Sequence, residues 1–312
     1  MCKLAFSKTK DNTAYKKVLS MLKHQEEIVA GHSTGIAWID DRGTHIRKSI
    51  GKVINYKAKY PDIPKTNITL GHSRYATVGV INEDNQHPIS IMYNKKRIGY
   101  GVHNGTWRDY KQYEQYRNNN LINKTDSALL FSIYAIILEK YGDTLQNRIK
   151  ALGTIRNLVI DEPNNNFIIM FNDGMVLFTG NVITYKVTEH NIGLMTFGLP
   201  NTTKKDKIYE VRGFDVKEYD YAMSEWIPKP KPLPTPKPSR NFFDYNDWWS
   251  SDIEIEKKPS KWKFFDGMAF KLIKSNIKTK NKARKYGEFL KKKHNLNYRV
   301  DEFNNTFNVY VR

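Results

Sequence analysis

The sequence predicts a layered α+β domain in which sheets pack on each other and helices cover the outside, followed by a Pro-rich linker and a small basic module. Three observations carry this. Strand-like segments come first, helices follow, and strands return, an order that suits sheets covered by helices. Residues 127–141 read as a helix that is apolar on nearly every face (Ala128, Leu129, Leu130, Ile133, Ile136, Ile137, Leu138), so it must be buried between layers. From Trp226 the composition turns abruptly to alternating Pro and Lys. The divisions drawn from these shifts are a domain over 2–225, a linker over 226–260 and a module over 261–312.

The elements follow in order. Residues 3–6 are short and apolar and suit a first strand. Over 11–24, Tyr15, Val18, Leu19 and Leu22 recur at helical spacing. Residues 31–40 form a turn feeding a strand, and Asp40-Asp41-Arg42-Gly43 is a hairpin signal leading to a strand over 44–50. A strand over 68–76 runs into Gly71-His72-Ser73-Arg74-Tyr75-Ala76-Thr77-Val78-Gly79. A polar loop holds Asn85-Gln86-His87-Pro88, and a strand over 97–103 stops at Asn104-Gly105. Thr125-Asp126 opens the apolar helix, and a second helix covers 144–152. The period then switches to two, and strands are expected at 157–161, 166–171, 175–178, 182–187 and 192–197. Residues 227–238 form a semi-rigid polyproline II linker. Residues 241–251 are aromatic and acidic and suit docking on the chain's own surface. The last segment reads β-α-β-β: a strand at 268–273, a basic helix at 279–294 and a hairpin about Asn304-Asn305. About fifty residues is small for independent stability.

Composition narrows the function classes. No run is long enough for a transmembrane helix, and the N-terminus is too short in apolar residues for a secretory signal. A single cysteine, Cys2, excludes an internal disulfide and a Cys-rich zinc site and favours a reducing, cytoplasmic setting. The net charge is +19, and residues 261–312 carry 14 Lys and Arg against 4 Asp and Glu. Such a module suits a polyanionic partner such as nucleic acid. The abundance of Lys, Asn and Ile also follows from an AT-rich genome and fits a viral or mobile-element origin, with a host-cytoplasmic setting.

Cys2 carries the chemistry. Removal of the initiator Met puts a thiol and a free α-amine on one residue, a nucleophile with its own base. A lone Cys is more often a small buried residue, so the neighbouring motifs decide. Cys2, the 71–79 segment with Arg74 and Thr77, the 85–88 loop, Val102-His103-Asn104-Gly105 and Thr125-Asp126 occur together in order. In that order and spacing, residues 2–220 resemble the class II glutamine amidotransferase domain, an N-terminal-nucleophile hydrolase.

The resemblance implies a four-layer αββα sandwich and a reaction. Cys2 attacks the side-chain amide of L-glutamine, forms a glutamyl thioester and releases ammonia, with no cofactor and no metal. Asn104 and Gly105 match the oxyanion hole, where preorganised donors meet developing charge. Arg74 matches the cationic fork for the substrate carboxylate and Asp126 the acceptor for its ammonium. Thr77, Tyr75 and His103 fall among the substrate-binding positions, Tyr75 on a loop that closes over substrate. Asn104-Gly105 is also a hairpin turn, Asp126 also a helix N-cap, and Arg74 also suits a surface ion pair. Lys3 stands where the family usually has Gly, and Val78 where sugar-phosphate members commonly have His. Nothing after residue 225 resembles a synthase, so a separate ammonia-accepting synthase subunit is expected. Hydrolysis of another amide, or a nucleic-acid-binding or assembly role on the same fold, are the alternatives.

Overall fold

A computed structural model of the chain divides into two compact units, Met1–Lys237 and Pro238–Arg312. It describes residues 2–28, 31–77, 79–118, 122–162, 165–231, 262–265, 268–294, 297–303 and 306–311. Most of the Pro-rich run, the aromatic segment 241–251 and Val78 lie outside the described residues.

In the first unit the order is β1 (Lys3–Thr9), α1 (Ala14–Glu26), β2 (Ser33–Asp40), β3 (Gly43–Ile50), α2 (Val53–Lys59), β4 (Ile68–Arg74), β5 (Ile89–Tyr93) and β6 (Lys96–Asn104). A 3-10 helix (Arg108–Tyr116), α3 (Asp126–Tyr141) and α4 (Leu145–Asn157) follow. The strands then resume with β7 (Asn166–Phe171), β8 (Val176–Gly180), β9 (Thr184–Thr188), β10 (Asn191–Met195), β11 (Asn201–Thr202), β12 (Lys207–Arg212) and β13 (Asp215–Asp220). A seven-stranded sheet has the order β11-β9-β10-β1-β4-β2-β3, and a six-stranded sheet the order β13-β12-β8-β7-β6-β5.

Strand alternation builds the layers. Successive side chains point to opposite faces, so β1 sends Leu4 and Phe6 one way and Ala5 the other. Leu4, Phe6, Leu70 and Leu194 of the first sheet meet Tyr100, Val102, Ile168 and Phe178 of the second in one buried cluster. Ala5, Ile36 and Trp38 turn to the other side and pack on Tyr15, Val18 and Leu22 of α1 and on Val53 and Tyr56 of α2. On the far face of the second sheet, Phe167, Ile169 and Phe171 pack on α3 and α4. The layers are therefore helices, sheet, sheet, helices. α3 is buried on almost every face because it lies between the second sheet and α4. Thr125 caps it, accepting a hydrogen bond from Ala128 N at 3.2 Å.

Several expectations need correction. Residues 157–161 are not a strand: α4 runs through Asn157, and Leu158 and Val159 donate back to Thr154 and Arg156. Val159 looked like part of a period-two run because it is buried, but it packs in the helical layer. The helix α2, the 3-10 helix and the strands β5, β12 and β13 have no counterpart in the sequence reading. The first unit also does not stop at 225. Lys229 N donates to the Tyr116 hydroxyl (3.1 Å) and Lys231 N to Gln112 O (2.7 Å), and the Trp226 ring meets Tyr116 edge-on. The start of the expected linker is thus fastened along the 3-10 helix.

The second unit contains β14 (Trp262–Phe265), β15 (Met268–Ile277), α5 (Lys280–His294), β16 (Tyr298–Phe303) and β17 (Thr306–Val311). Its sheet has the order β14-β15-β17-β16, all antiparallel. The expected β-α-β-β pattern thus gains a leading strand, and its first strand extends to Ile277. Ala283 of α5 and Val309 of β17 form its small core.

Candidate active site

Cys2 opens β1, the middle strand of the first sheet, paired on one side with β4 and on the other with β10. The Thr196 hydroxyl accepts from Leu4 N at 2.8 Å. The Gln25 amide donates to Leu4 O (3.0 Å) and accepts from Thr196 N (3.2 Å), so one side chain bridges the two strands. These buried bonds fix the backbone just behind Cys2. Lys3 lies over the Phe197 ring, 4.6 Å from its centroid, and burial lowers its ammonium pKa.

The thiol itself is held by the next strand's exit. Tyr75 N donates to Cys2 Sγ (3.3 Å), and the thiol donates to Tyr75 O at 3.5 Å. Burial pushes the Cys2 thiol above its ordinary pKa; the Tyr75 N–H and the nearby Arg74 charge pull the other way, and Asp126 adds to the rise. Burial thus favours the neutral thiol over the thiolate. Arg74 and Asp126 lie close enough to the sulfur for their charges to act on it.

Arg74 is no surface ion pair. It is buried, and Nη1 donates to Val80 O at 3.1 Å, so the loop after β4 curls round its guanidinium. Asp126 is not the cap of α3, because Thr125 takes that part. Its Oδ2 instead accepts from Trp107 N at 2.8 Å. The Tyr75 ring is exposed and stacks on His32 (centroids 4.6 Å apart), whose Nδ1 accepts from Ala76 N. Thr77 is exposed as well, and its hydroxyl meets that of Thr106 at 3.0 Å, joining the loop after β4 to the loop after β6.

β6 ends at Asn104, which is buried. Among the described residues no protein group takes a hydrogen bond from its Nδ2. Behind it stands His103. The expectation that His103 binds substrate needs correction, because its ring is turned inward and fully engaged. Nε2–H donates to Asn165 Oδ1 (2.8 Å), the Ser127 hydroxyl donates to Nδ1 (2.9 Å), and the ring stacks on Phe167. Asn165 is oriented in turn by donating to Val159 O and Glu162 O. Even the His103 carbonyl is used, accepting from His72 Nε2 at 3.2 Å. That bond ties the ends of β4 and β6 across the two sheets. A Cβ on Gly105 would lie 2.0 Å from Asn165 Oδ1 and 2.6 Å from His103 Nε2, so only glycine fits there.

Burial lowers the pKa of His72 to about 3, that of His87 well below normal, and that of His103 as well. All three are neutral imidazoles that order the site from behind. Among the described residues no group of three or more His, Cys, Asp or Glu is arranged to hold a metal ion, and no helix is long and apolar enough to cross a membrane.

Sequence reasoning missed Asn165, Gln25, His32 and the Trp107 N–H. Asn165 sits in a run of Asn that reads as a turn, and a backbone donor leaves no trace in the sequence.

Residues 29–188, just over half the chain, match the family described as glutamine amidotransferases class-II. The chain belongs to that family. The match takes in Arg74, Asn104, Gly105 and Asp126 and begins after Cys2. The amidotransferase is 28% identical over 126 residues to the glutamine–fructose-6-phosphate aminotransferase (isomerizing) of Oceanobacillus iheyensis, covering 40% of this chain and 20% of that one. Against the enzyme of that name from Methanococcus maripaludis it is 32% identical over 143 residues, 42% of this chain and 23% of that one. The chain therefore spans about a fifth of the length of these relatives. Among solved structures, the glutamine phosphoribosylpyrophosphate amidotransferase from B. subtilis superposes with a TM-score of 0.55 at 15% identity, covering 72% of this chain and 50% of that one. That likeness gives the fold.

Proposed function

We propose that this amidotransferase hydrolyses the side-chain amide of L-glutamine with Cys2 as nucleophile and passes the ammonia to a separate acceptor protein. The observation that carries this reading is the thiol bonded to Tyr75 with Arg74 and Asp126 close enough to act on its charge. A thiol, a buried cation and a buried carboxylate in one place suit a free α-amino acid whose amide reaches the sulfur.

The chemistry proceeds as follows. With Met1 removed, the α-amine of Cys2 accepts the thiol proton, and its reference pKa of about 7.7–8 suits neutral pH. Sulfur attacks the amide carbon. The oxygen becomes an oxyanion, and Asn104 Nδ2 and the Gly105 N–H are the donors assigned to it. As the C–N bond breaks, the amine returns its proton to the departing nitrogen, which leaves as ammonia. Water, activated by the same amine, then cleaves the thioester to glutamate. Arg74 takes the α-carboxylate, Asp126 the α-ammonium through Oδ1, and Thr77 and Tyr75 the open side. His103 is a positioning residue for Asn104.

Hydrolysis of another amide is less well supported, since the Arg74–Asp126 pair matches a zwitterion. Ammonia release from L-glutamine by the untagged protein tests the proposal, with Cys2→Ala alongside and intact mass recorded. The parent protein is expected to lack Met1 and release ammonia, and the variant to release none. Its kcat/KM rises with pH through about 8, because the base must be unprotonated, and falls about tenfold per unit at lower pH. Activity unchanged in Cys2→Ala, or a better turnover of an amide without the amino-acid head, overturns it.

A further inference from the structure

The second unit holds a cleft of about 360 Å³ between α5 and the start of β16, lined by Lys280, Arg284, Lys291, Asn297, Tyr298 and Arg299, with Val300 at its edge. No carboxylate is among these lining residues. Three of the cations come from one face of α5, because positions 280, 284 and 291 lie four and seven residues apart. Gly287 occupies the same face between them. A Cβ there would sit 2.2 Å from the Tyr298 ring, so the glycine lets the ring lie directly against the helix backbone. The tyrosine thus floors the cleft and keeps helix and strand apart at a fixed spacing, with Arg299 supplying the cation from the strand side.

We propose that this cleft binds the sugar–phosphate backbone of a nucleic acid. From Lys280 to Lys291 the helix rises about 17 Å, the length of about five nucleotides at 3.4 Å per step. The three helix cations form a row, which suits a ladder of phosphates rather than one anion. The volume is that of about a dozen waters, more than a lone ion needs. The balance of 14 Lys and Arg against 4 Asp and Glu over residues 261–312 supplies a matching field. An anionic membrane is the main competitor, because α5 is basic and Phe289 is exposed on it. A flat bilayer, however, meets one open face, whereas these cations line a recess that a narrow backbone ridge can enter.

The test uses the full chain and fluorescence anisotropy with a labelled 20-base-pair DNA duplex and the corresponding single strand, over a salt series. Contacts from four cations give a slope of log affinity on log salt of about −3.6 for duplex and about −2.8 for single strand. Which of the two binds more tightly identifies the form preferred. The double variant Lys280→Ala/Arg284→Ala lowers affinity at least tenfold and reduces the slope by about 2, while its melting curve and ammonia release match the parent, since both residues are exposed. The double variant Arg284→Glu/Lys291→Glu abolishes binding. Unchanged binding in both variants overturns the proposal. So does tighter binding to vesicles of anionic phospholipid, or to polyglutamate, than to either nucleic acid. The ammonia assay reads the first unit and the anisotropy the second, so failure of one reading leaves the other intact.

Discussion

The candidate active site has two walls built in opposite ways. The inner wall, His103-Asn104-Gly105, lies at the end of β6, where His103 and Asn104 are buried and a set of hydrogen bonds backs the His103 ring. The outer wall, Tyr75 to Val80, leaves the first sheet as a loop with Tyr75, Thr77 and Gly79 exposed. The inner wall contains the groups assigned to the oxyanion, where a displacement of an ångström matters. The outer wall contains Tyr75 and Thr77, assigned to the open side of the substrate, where entry and exit require access. Preorganisation and access are thus divided between two strands, joined by the His72–His103 bond below and the Thr77–Thr106 contact above.

The largest effect that would test this division is at Gly105. Gly105→Ala puts a methyl into Asn165 and His103, which costs about 3 kcal/mol in overpacking and a lost buried hydrogen bond. Turnover is expected to fall by about 10²–10³ as the oxyanion donors shift. Thermal melting and ammonia release read the two effects; a variant that keeps its Tm and its kcat would show that the inner wall is not rigid.

Acid comes next. His72, His87 and His103 are buried and neutral with depressed pKa values, so below about 6.5 the unfolded chain binds protons that the folded one refuses. Stability is present above that pH and is lost as pH falls, for His72 by about 1.4 kcal/mol per unit toward its pKa of about 3, with His87 and His103 adding in the same direction. Denaturant midpoints measured between pH 7 and 4 should therefore fall steeply, and a flat profile would mean that the imidazoles reach water.

The smallest effect is at Tyr75. Tyr75→Ala removes an exposed ring stacked on His32 but leaves the backbone groups that hold the thiol. KM should rise several-fold with Tm unchanged. A loss as large as at Gly105 would erase the contrast between the walls.

Much of this site could be read from the chain before it was folded. Cys2, Arg74, Asn104, Gly105 and Asp126 belong to short motifs whose residue types carry their chemistry. The layered order was legible because strand-like segments precede and follow the helices and α3 is apolar all round. What stayed hidden depends on tertiary placement. In sequence His103 falls among the substrate-binding positions but lacks the spacing of a metal ligand and also reads as structural, and the positions of Ser127 and Asn165 make it a buttress. Thr125, not Asp126, became the cap because the Asp126 carboxylate is drawn to Trp107 N. The false strand at 157–161 arose because a buried residue at a helix end has the same signature as one in a sheet.

The central position of β1 has a consequence in time. Leu4 takes its hydrogen bond from a side chain 192 residues further on, at Thr196. At about 5–20 residues per second, roughly 10–40 s separate the synthesis of these two positions on the ribosome. The residue assigned as nucleophile is thus made well before one of the groups that seat its strand. Throughout that interval β1 has no β10 to pair with, and one side of the strand that follows Cys2 waits for its neighbour in the sheet.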